Sequence, residues 1–161
     1  MRYKFGWLVL AFFPMVLSAQ GLETEGQKAL QKVLEVLTLE EPQLPDSAEV
    51  KTHLMNGAWE SLSYLNEGGG DYQTDDLLEA VPDYYHFREG KVIIKLIDPN
   101  DYNQYGMEAT VNYSLRNDEI LLIKPGGEIK DRWQLLYLDG HYMALDMGDL
   151  RVFFTHTPAQ E

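Results

Sequence analysis

From Asn56 onward, apolar and polar residues alternate with a period of two, and this constrains the fold more than any other feature of the chain. The run EATVNYSL at 108–115 is apolar at every second position. The run KVIIKLI at 91–97 sets three apolar residues against two lysines. Strands with this alternation turn one face to a core and the other to solvent, so the pattern predicts an antiparallel sheet.

Short turn-forming segments interrupt these runs at nearly even spacing. They are rich in Gly, Asn, Asp and Pro, and they lie at 66–71, 89–90, 98–101, 116–118, 125–127, 139–140 and 148–149. Asp139-Gly140, between WQLLYL and HYMALD, is a strong signal for a two-residue hairpin. Hairpins between sequential strands give a meander, so we predict a mainly β, antiparallel up-and-down architecture.

The segment before the sheet has helical periodicity instead. Its apolar side chains follow the i, i+3, i+4, i+7 spacing at Leu30, Val33, Leu34 and Leu37. We predict a helix over 24–39, with a capping box at Thr24 and Gln27, that ends before Pro42 and Pro45. Residues 47–55 are expected to add a helical turn, and so is the segment 74–80.

Two predicted strands are apolar on both faces, ILLI at 120–123 and VFF at 152–154. Their outer sides need a cover, and the N-terminal helix is the expected one. A helix this short needs a surface on which to bury its apolar stripe. A partner-binding role for the helix is the alternative.

The first 20 residues have the layout of a secretory signal. Arg2 and Lys4 precede an apolar run over 6–17, and Ser18-Ala19 offers a cleavage site. The apolar run is shorter than the ~20 residues of a membrane span, although an uncleaved anchor remains the alternative. We expect cleavage near Ala19, a periplasmic or secreted product and no stable membrane span after cleavage. The chain has no Cys, so it forms no disulfides.

The charge balance is strongly acidic. The net charge is −13, and without Arg2 and Lys4 the 11 remaining basic residues face 26 acidic ones, which gives −15. Such a surface repels phosphate backbones and anionic lipid, so no nucleic-acid partner is expected. It attracts cations without selecting one.

No constellation for catalysis or metal binding stands out. The four His residues, at 53, 86, 141 and 156, lack metal-ligand spacing, although His141 and His156 could approach each other on late strands. The acidic segment DPNDYNQYG at 98–106 fits an Asx turn better than a calcium loop. We therefore expect no enzyme, no metal site and no cofactor.

Aromatic residues are more numerous than a core of this size requires, with ten Tyr in the chain. Tyr combines an apolar body with a polar tip, which suits a small amphipathic ligand. The predicted ligand-binding residues, in the barrel interior or at its mouth, are Tyr84, Tyr102, Tyr105, Tyr113, Trp133 and Tyr137. Ordinary strand propensity is the alternative explanation of their abundance.

Gly57-x-Trp59 at the start of the first strand, followed by a meander, resembles the lipocalin-like superfamily. The later runs YYHFREGKV, VNYSLRNDEILLI and RWQLLYLDGHYMAL resemble hairpins of small exported bacterial lipocalin-like domains. The resemblance spans 55–157, and the Thr-Asp-Tyr motif of large ligand carriers is absent. It implies an eight-stranded barrel that Gly57 and Trp59 help to plug, with Arg151 packing across Trp59.

The sequence patterns and this resemblance together predict three segments and two possible functions. The segments are a signal peptide at 1–19, a helix and linker at 20–46 and a lipocalin-like barrel at 47–161. One function is non-catalytic binding of a small apolar or amphipathic molecule. The alternative is an interaction or inhibitor module with a filled barrel and an envelope or secreted protein as partner. The inward side chains that we can assign are bulky except Ala109, which predicts a small cavity or none.

Overall fold

A computed structural model describes residues 25–66 and 71–159. The predicted signal peptide and Thr24 lie outside these ranges. The helices are α1, Glu25–Leu37, and α2, Ser47–Met55, and a 3₁₀ turn spans Thr74–Asp76. The strands are β1, Ala58–Asn66; β2, Leu78–Glu79; β3, Tyr84–Arg88; β4, Lys91–Asp98; β5, Asp101–Arg116; β6, Glu119–Ile123; β7, Ile129–Leu138; β8, Tyr142–Asp146; and β9, Leu150–Thr157.

The strands form one antiparallel sheet that closes on itself. Sequential strands pair from β3 to β9, and β1 pairs both with β3 and with β9. The β1–β9 seam runs from Ala58 opposite Thr157 to Asn66 opposite Leu150. Short β2 lies beside Ser63 and Tyr64, where it continues the line of β3 along β1. The structure thus confirms the predicted meander and its closure into a barrel of eight strands.

Helix α2 packs its apolar side chains into one end of the barrel. The Asp46 carboxylate caps the helix by accepting hydrogen bonds from the N–H groups of Ala48 and Glu49, both at 3.0 Å. Val50 and Leu54 are almost fully buried in the barrel core. The chain therefore enters β1 directly from a helix that covers the end where β1 begins.

Helix α1 packs on the outside of the barrel. Its buried side chains form one cluster with residues that point outward from the strands. The helix contributes Val33, Leu34, Val36 and Leu37, and the strands contribute Leu65, Leu136, Ala144 and Phe153. This confirms the expected cover over Phe153. Leu30, which was expected in the buried stripe, is exposed, because the first two turns of α1 bury nothing.

The expectation that the N-terminal helix covers the outer side of residues 120–123 is wrong. Ile120 and Leu122 face the barrel interior, and Leu121 is buried on the outer side. Leu121 is not part of the cluster around α1, because α1 lies against β7, β8, β9 and β1 rather than β6.

The segment 98–106, for which an Asx turn was predicted, is a strand for most of its length. The turn is confined to 98–101, where Asp98 Oδ1 accepts a hydrogen bond from Asn100 N at 2.8 Å, as expected of an Asx turn. Irregular pairing beside Ile97 lets β5 continue past the turn. Tyr102 and Tyr105 are therefore strand residues.

Candidate functional site

The barrel end under α2 is tightly packed around Trp59. This side chain is fully buried, and its indole N–H donates a hydrogen bond to the carbonyl oxygen of Leu54 at 3.1 Å. The His156 imidazole meets the indole edge-on, with ring centroids 5.4 Å apart. A ring nitrogen of His156 also contacts the backbone oxygen of Asn56. Helix α2, Trp59 and His156 together close this end.

Gly57 permits this arrangement. Its backbone φ is +99°, a conformation that residues other than glycine rarely adopt. A Cβ at this position would stand 2.9 Å from the Thr157 carbonyl oxygen and would collide with the His156 ring. The Gly-x-Trp motif therefore sets the close approach between the start of β1 and the end of β9.

Arg151 does not pack across Trp59, which corrects the expectation from the sequence. Val152 and Phe154 face the barrel core and Phe153 faces α1, so Arg151 lies on the outer face of β9. Its guanidinium donates hydrogen bonds to the carbonyl oxygens of Leu37, at 2.9 Å, and Leu39, at 3.2 Å. It also pairs with Asp146 at 3.2 Å. Arg151 thus ties the C-terminal end of α1 to the barrel, and His156 occupies the place beside Trp59.

The middle of the barrel is filled by side chains. The Tyr85 ring packs edge-on against Phe154, with centroids 5.1 Å apart, and against Trp133, at 6.1 Å. Phe87 packs against Tyr113 at 5.4 Å. An eight-stranded barrel is narrow enough for side chains to fill it, and here they do so up to the level of Tyr85.

A cleft of about 480 Å³ lies at the opposite end of the barrel, which we call the mouth cleft. Its lining residues come from β1, the segment before β3, β3 itself, the β8–β9 turn and β9. They are Ser61, Tyr64, Asn66, Ala80, Val81, Asp83, Tyr85, Met147, Leu150 and Val152. Most of this wall is apolar or aromatic, and Ser61, Asn66 and Asp83 add polar groups.

Ser61 fixes one wall of the mouth cleft. Its hydroxyl donates to the Val81 carbonyl oxygen at 2.6 Å and accepts from the Asp83 N–H at 2.9 Å. The Ser61 N–H donates in turn to the Asp83 carbonyl oxygen at 3.0 Å. These bonds hold the segment 80–83 against β1, although this segment lies between β2 and β3 and is not itself paired with β1 as a strand.

Burial changes the acidity of two groups in the cleft. Loss of solvent raises the pKa of the Asp83 carboxyl, and the hydrogen bond from the Ile97 N–H partly opposes this. Burial, and then the nearby Asp83 charge, raise the pKa of Tyr85 to about 12. The Tyr85 hydroxyl therefore keeps its proton at neutral pH and can act as a hydrogen-bond donor.

The six aromatic residues predicted to bind a ligand do not come together. Tyr113 and Trp133 lie in the barrel core. Tyr84 and Tyr105 pack together on the outer face, 6.2 Å apart, with the Lys95 ammonium 5.3 Å and 5.7 Å from their rings.

The remaining two of the six also lie away from the cleft. Tyr102 is 66% exposed. Tyr137 packs beside α1, and its hydroxyl donates to the Asp139 carboxylate at 2.7 Å, which raises the pKa of Tyr137 to about 12. None of the six lines the mouth cleft.

The residues that line the mouth cleft were not predicted from the sequence. Tyr85 was counted among the abundant aromatics but was not assigned to the site, Ser61 was weighed only as a nucleophile and set aside, and Tyr64 and Asp83 were not considered. The period of two gave a usable signal, because Ser61 lies two positions after Trp59 and shares its inward face. The irregular pairing between Ser61 and Ser63 then returns Tyr64 to that face.

The structure brings the backbones of His141 and His156 together. The His156 N–H donates to the His141 carbonyl oxygen at 2.8 Å. Within residues 25–66 and 71–159, no group of three or more His, Cys, Asp or Glu side chains is placed to hold a metal ion. In the same ranges, no helix is both long enough and apolar enough to cross a bilayer.

The architecture is defined by eight antiparallel strands that follow one another in sequence order and close between the first and the last. A Gly-x-Trp motif lies at one end of this barrel. The fold is lipocalin-like. No protein-family model matches the chain, and no curated protein matches it.

Solved structures with a similar fold include two from Bacteroides. One is an uncharacterized protein from Bacteroides eggerthii DSM 20697, at 15% identity and a TM-score of 0.49, covering 64% of this chain and 99% of its own. The other is a lipocalin-like protein from Bacteroides uniformis ATCC 8492, at 17% identity and a TM-score of 0.47, covering 65% of this chain and 99% of its own.

Proposed function

We propose that this protein binds a small amphipathic molecule in the mouth cleft and does not catalyse a reaction. The observation that carries the proposal is the cleft of about 480 Å³ above the Tyr85 ring. Pockets for small molecules typically measure roughly 300–1,000 Å³ and combine apolar walls with a few polar groups. The cleft matches this description in both size and lining.

The lining supports an amphipathic rather than a fully apolar ligand. Val81, Met147 and Leu150 offer apolar surface to a hydrocarbon group. Asp83 and Asn66 place polar groups in the same cleft. A ligand that covers the first set while its head group meets the second leaves fewer polar atoms desolvated without a partner.

The alternative function, an interaction or inhibitor module with a filled barrel, is favoured by the packing between α2 and Tyr85. That part of the barrel leaves no room for a ligand, because Trp59, Phe87 and Phe154 are fully buried there. The two functions make different predictions for the mouth cleft. A small molecule occupies the cleft if the protein binds a ligand, but not if it is an interaction or inhibitor module.

Export to the periplasm or the medium is part of the same proposal. The basic, apolar and small-residue segments of the first 20 residues support it. Intact-mass measurement of the exported protein tests it, and we expect a species that begins after Ala19. A membrane-bound species that retains Met1 would support the anchor instead.

Titration calorimetry with 1-octanol, a neutral amphipathic probe, tests binding in the cleft. Val81 and Leu78 are equally exposed apolar residues, at 41% and 40%, but only Val81 lines the cleft. We expect Val81→Asn to weaken octanol binding about tenfold, since an apolar contact is replaced by an amide. The matched control Leu78→Asn should bind like the unmodified protein. Absence of octanol binding, or equal weakening by both changes, would contradict the proposed site.

A further inference from the structure

We infer that the mouth cleft selects amphipathic molecules with a cationic head group, such as an alkylammonium, and disfavours those with an anionic one. This inference rests on the proposed function and names the chemical class of its ligand. It is carried by the charges, the hydrogen bonds and the aromatic rings of the cleft.

Asp83 is the one charged side chain among the ten described residues that line the cleft. One of its carboxylate oxygens, Oδ1, accepts the Ile97 N–H at 2.9 Å. In the part of the chain that the structure describes, no residue donates a hydrogen bond to the other oxygen, and no Lys, Arg or His forms an ion pair with Asp83. Asp83 therefore brings to the lining of the cleft a half-buried carboxylate with one open oxygen, and no Lys, Arg or His of residues 25–66 and 71–159 pairs with it.

The nearby Asp146 provides a contrast at the same end of the barrel. Its carboxylate pairs with the Arg151 guanidinium at 3.2 Å on the outer face. That pair balances the Asp146 charge within the protein, whereas no described Lys, Arg or His balances the charge of Asp83. An ammonium group in the cleft would supply the missing partner and form a charge-assisted hydrogen bond.

The aromatic rings of the cleft add to this preference. Tyr64 and Tyr85 both line it, and the faces of aromatic rings attract cations. The protein as a whole carries a net charge of −13, which raises the local concentration of cations and lowers that of anions. An anionic head group would meet Asp83 as a like charge in a partly desolvated site, and the raised pKa of this carboxyl already reflects the cost of desolvation.

Three probes with the same hydrocarbon chain test the inference: octylammonium, 1-octanol and octanoate. Calorimetric titration at neutral pH should give at least about tenfold tighter binding of octylammonium than of octanoate, equivalent to about 1.4 kcal/mol. Asp83→Asn removes the charge and keeps an oxygen that can accept the Ile97 N–H. This variant should lose the preference, so that octylammonium and octanoate bind it with affinities that differ by less than about threefold. Asp149→Asn removes the same charge at an exposed position outside the cleft lining and should keep the preference.

The outcomes separate the inference from the function on which it rests. Equal affinity for the three probes, tighter binding of octanoate, or a preference that survives in Asp83→Asn would overturn the inference, while octanol binding would still support the mouth as a ligand site. If no probe binds to any variant, the proposed function fails and the inference fails with it. A circular dichroism spectrum unchanged by Asp83→Asn excludes misfolding as the cause of a lost preference.

Discussion

The two ends of the barrel differ in how far their polar groups find partners within the chain. At the end under α2, the polar atom of Trp59 has a partner within the chain, and helix α2 covers the opening. At the mouth, Ser61 uses its hydroxyl to hold the segment 80–83, and the Asp83 carboxylate is left with one open oxygen.

The difference teaches where stability and recognition reside in this fold. Complete burial with complete hydrogen bonding gives the larger share of stability, because each apolar contact and each satisfied polar atom lowers the free energy of the folded state. Incomplete burial around a polar group costs some stability and leaves a place where a ligand can contribute the missing contacts. The closed end should therefore respond to substitution in its unfolding free energy, and the mouth in its binding.

The largest expected effect is at the closed end. Trp59→Ala should lower the unfolding free energy by about 3–5 kcal/mol, the usual range for removal of a buried Trp. That is a large share of a typical domain stability of about 5–15 kcal/mol. Urea unfolding measures the change, and Tyr102→Ala at a 66% exposed position is the control, expected within about 0.5 kcal/mol. A stable Trp59→Ala protein that has lost octanol binding would reverse the roles of the two ends.

A second test concerns the backbone at the same end. Gly57→Ala should destabilise the protein by about 1–3 kcal/mol, because it forces a side chain into a positive-φ conformation beside His156 and Thr157. Gly126→Ala is the matched control, because a Cβ at Gly126 meets open space. Thermal unfolding of the two variants gives the comparison. Equal melting temperatures would mean that the close approach of β1 and β9 is not constrained by Gly57.

At the mouth, Ser61→Ala should have a smaller effect on stability and a clear effect on binding. The change leaves the Val81 carbonyl oxygen and the Asp83 N–H without the hydroxyl, at a cost of about 1–2 kcal/mol in unfolding free energy. Octanol affinity should fall as well, since the segment 80–83 forms a wall of the cleft. Ser114→Ala, at an exposed position on β5, should change neither quantity. A Ser61→Ala protein with unchanged octanol affinity would show that this wall does not depend on the hydroxyl.

The smallest expected effect has a distinctive dependence on pH. Because the folded-state pKa of Asp83 is raised above its ordinary value of 3.8, the ionised carboxyl destabilises the folded protein. Asp83→Asn should therefore be slightly more stable than the unmodified protein at neutral pH. The difference should shrink as the pH falls through the folded-state pKa and vanish below 3.8. Urea unfolding across this pH range checks the sign, and a difference that grows toward low pH would contradict it.

The sequence predicted the architecture because its signals are local and repeated. A period of two, turn residues at even spacing and the Asp139-Gly140 hairpin each indicate an antiparallel meander. Closure by β1 and β9 was implied by the resemblance to lipocalin-like domains, not by any local pattern. The N-terminal helix and its contact with Phe153 were also predictable, because amphipathic helices need an apolar surface.

The candidate site was not predictable in the same way, because it depends on which face each residue takes around irregular pairings. The bulge near Ser61 returns Tyr64 to the interior, and the irregular pairing at Ile97 extends β5 through Tyr105. Asp83 looked like one carboxylate among many in the sequence. Its distinction comes from its partial burial and from the lack of a paired cation among the residues that the structure describes, and neither property can be read from the order of the residues.

Backbone amide chemical shifts during a titration with 1-octanol test most directly whether the barrel is closed under α2 and open at the mouth. We expect the largest shifts in Ala80, Val81 and Asp83, in residues 147–150 and in Tyr64 and Tyr85, with residues 47–59 unchanged. Shifts that concentrate in α2 and around Trp59, or on the outer face beside α1, would contradict this account of the two ends.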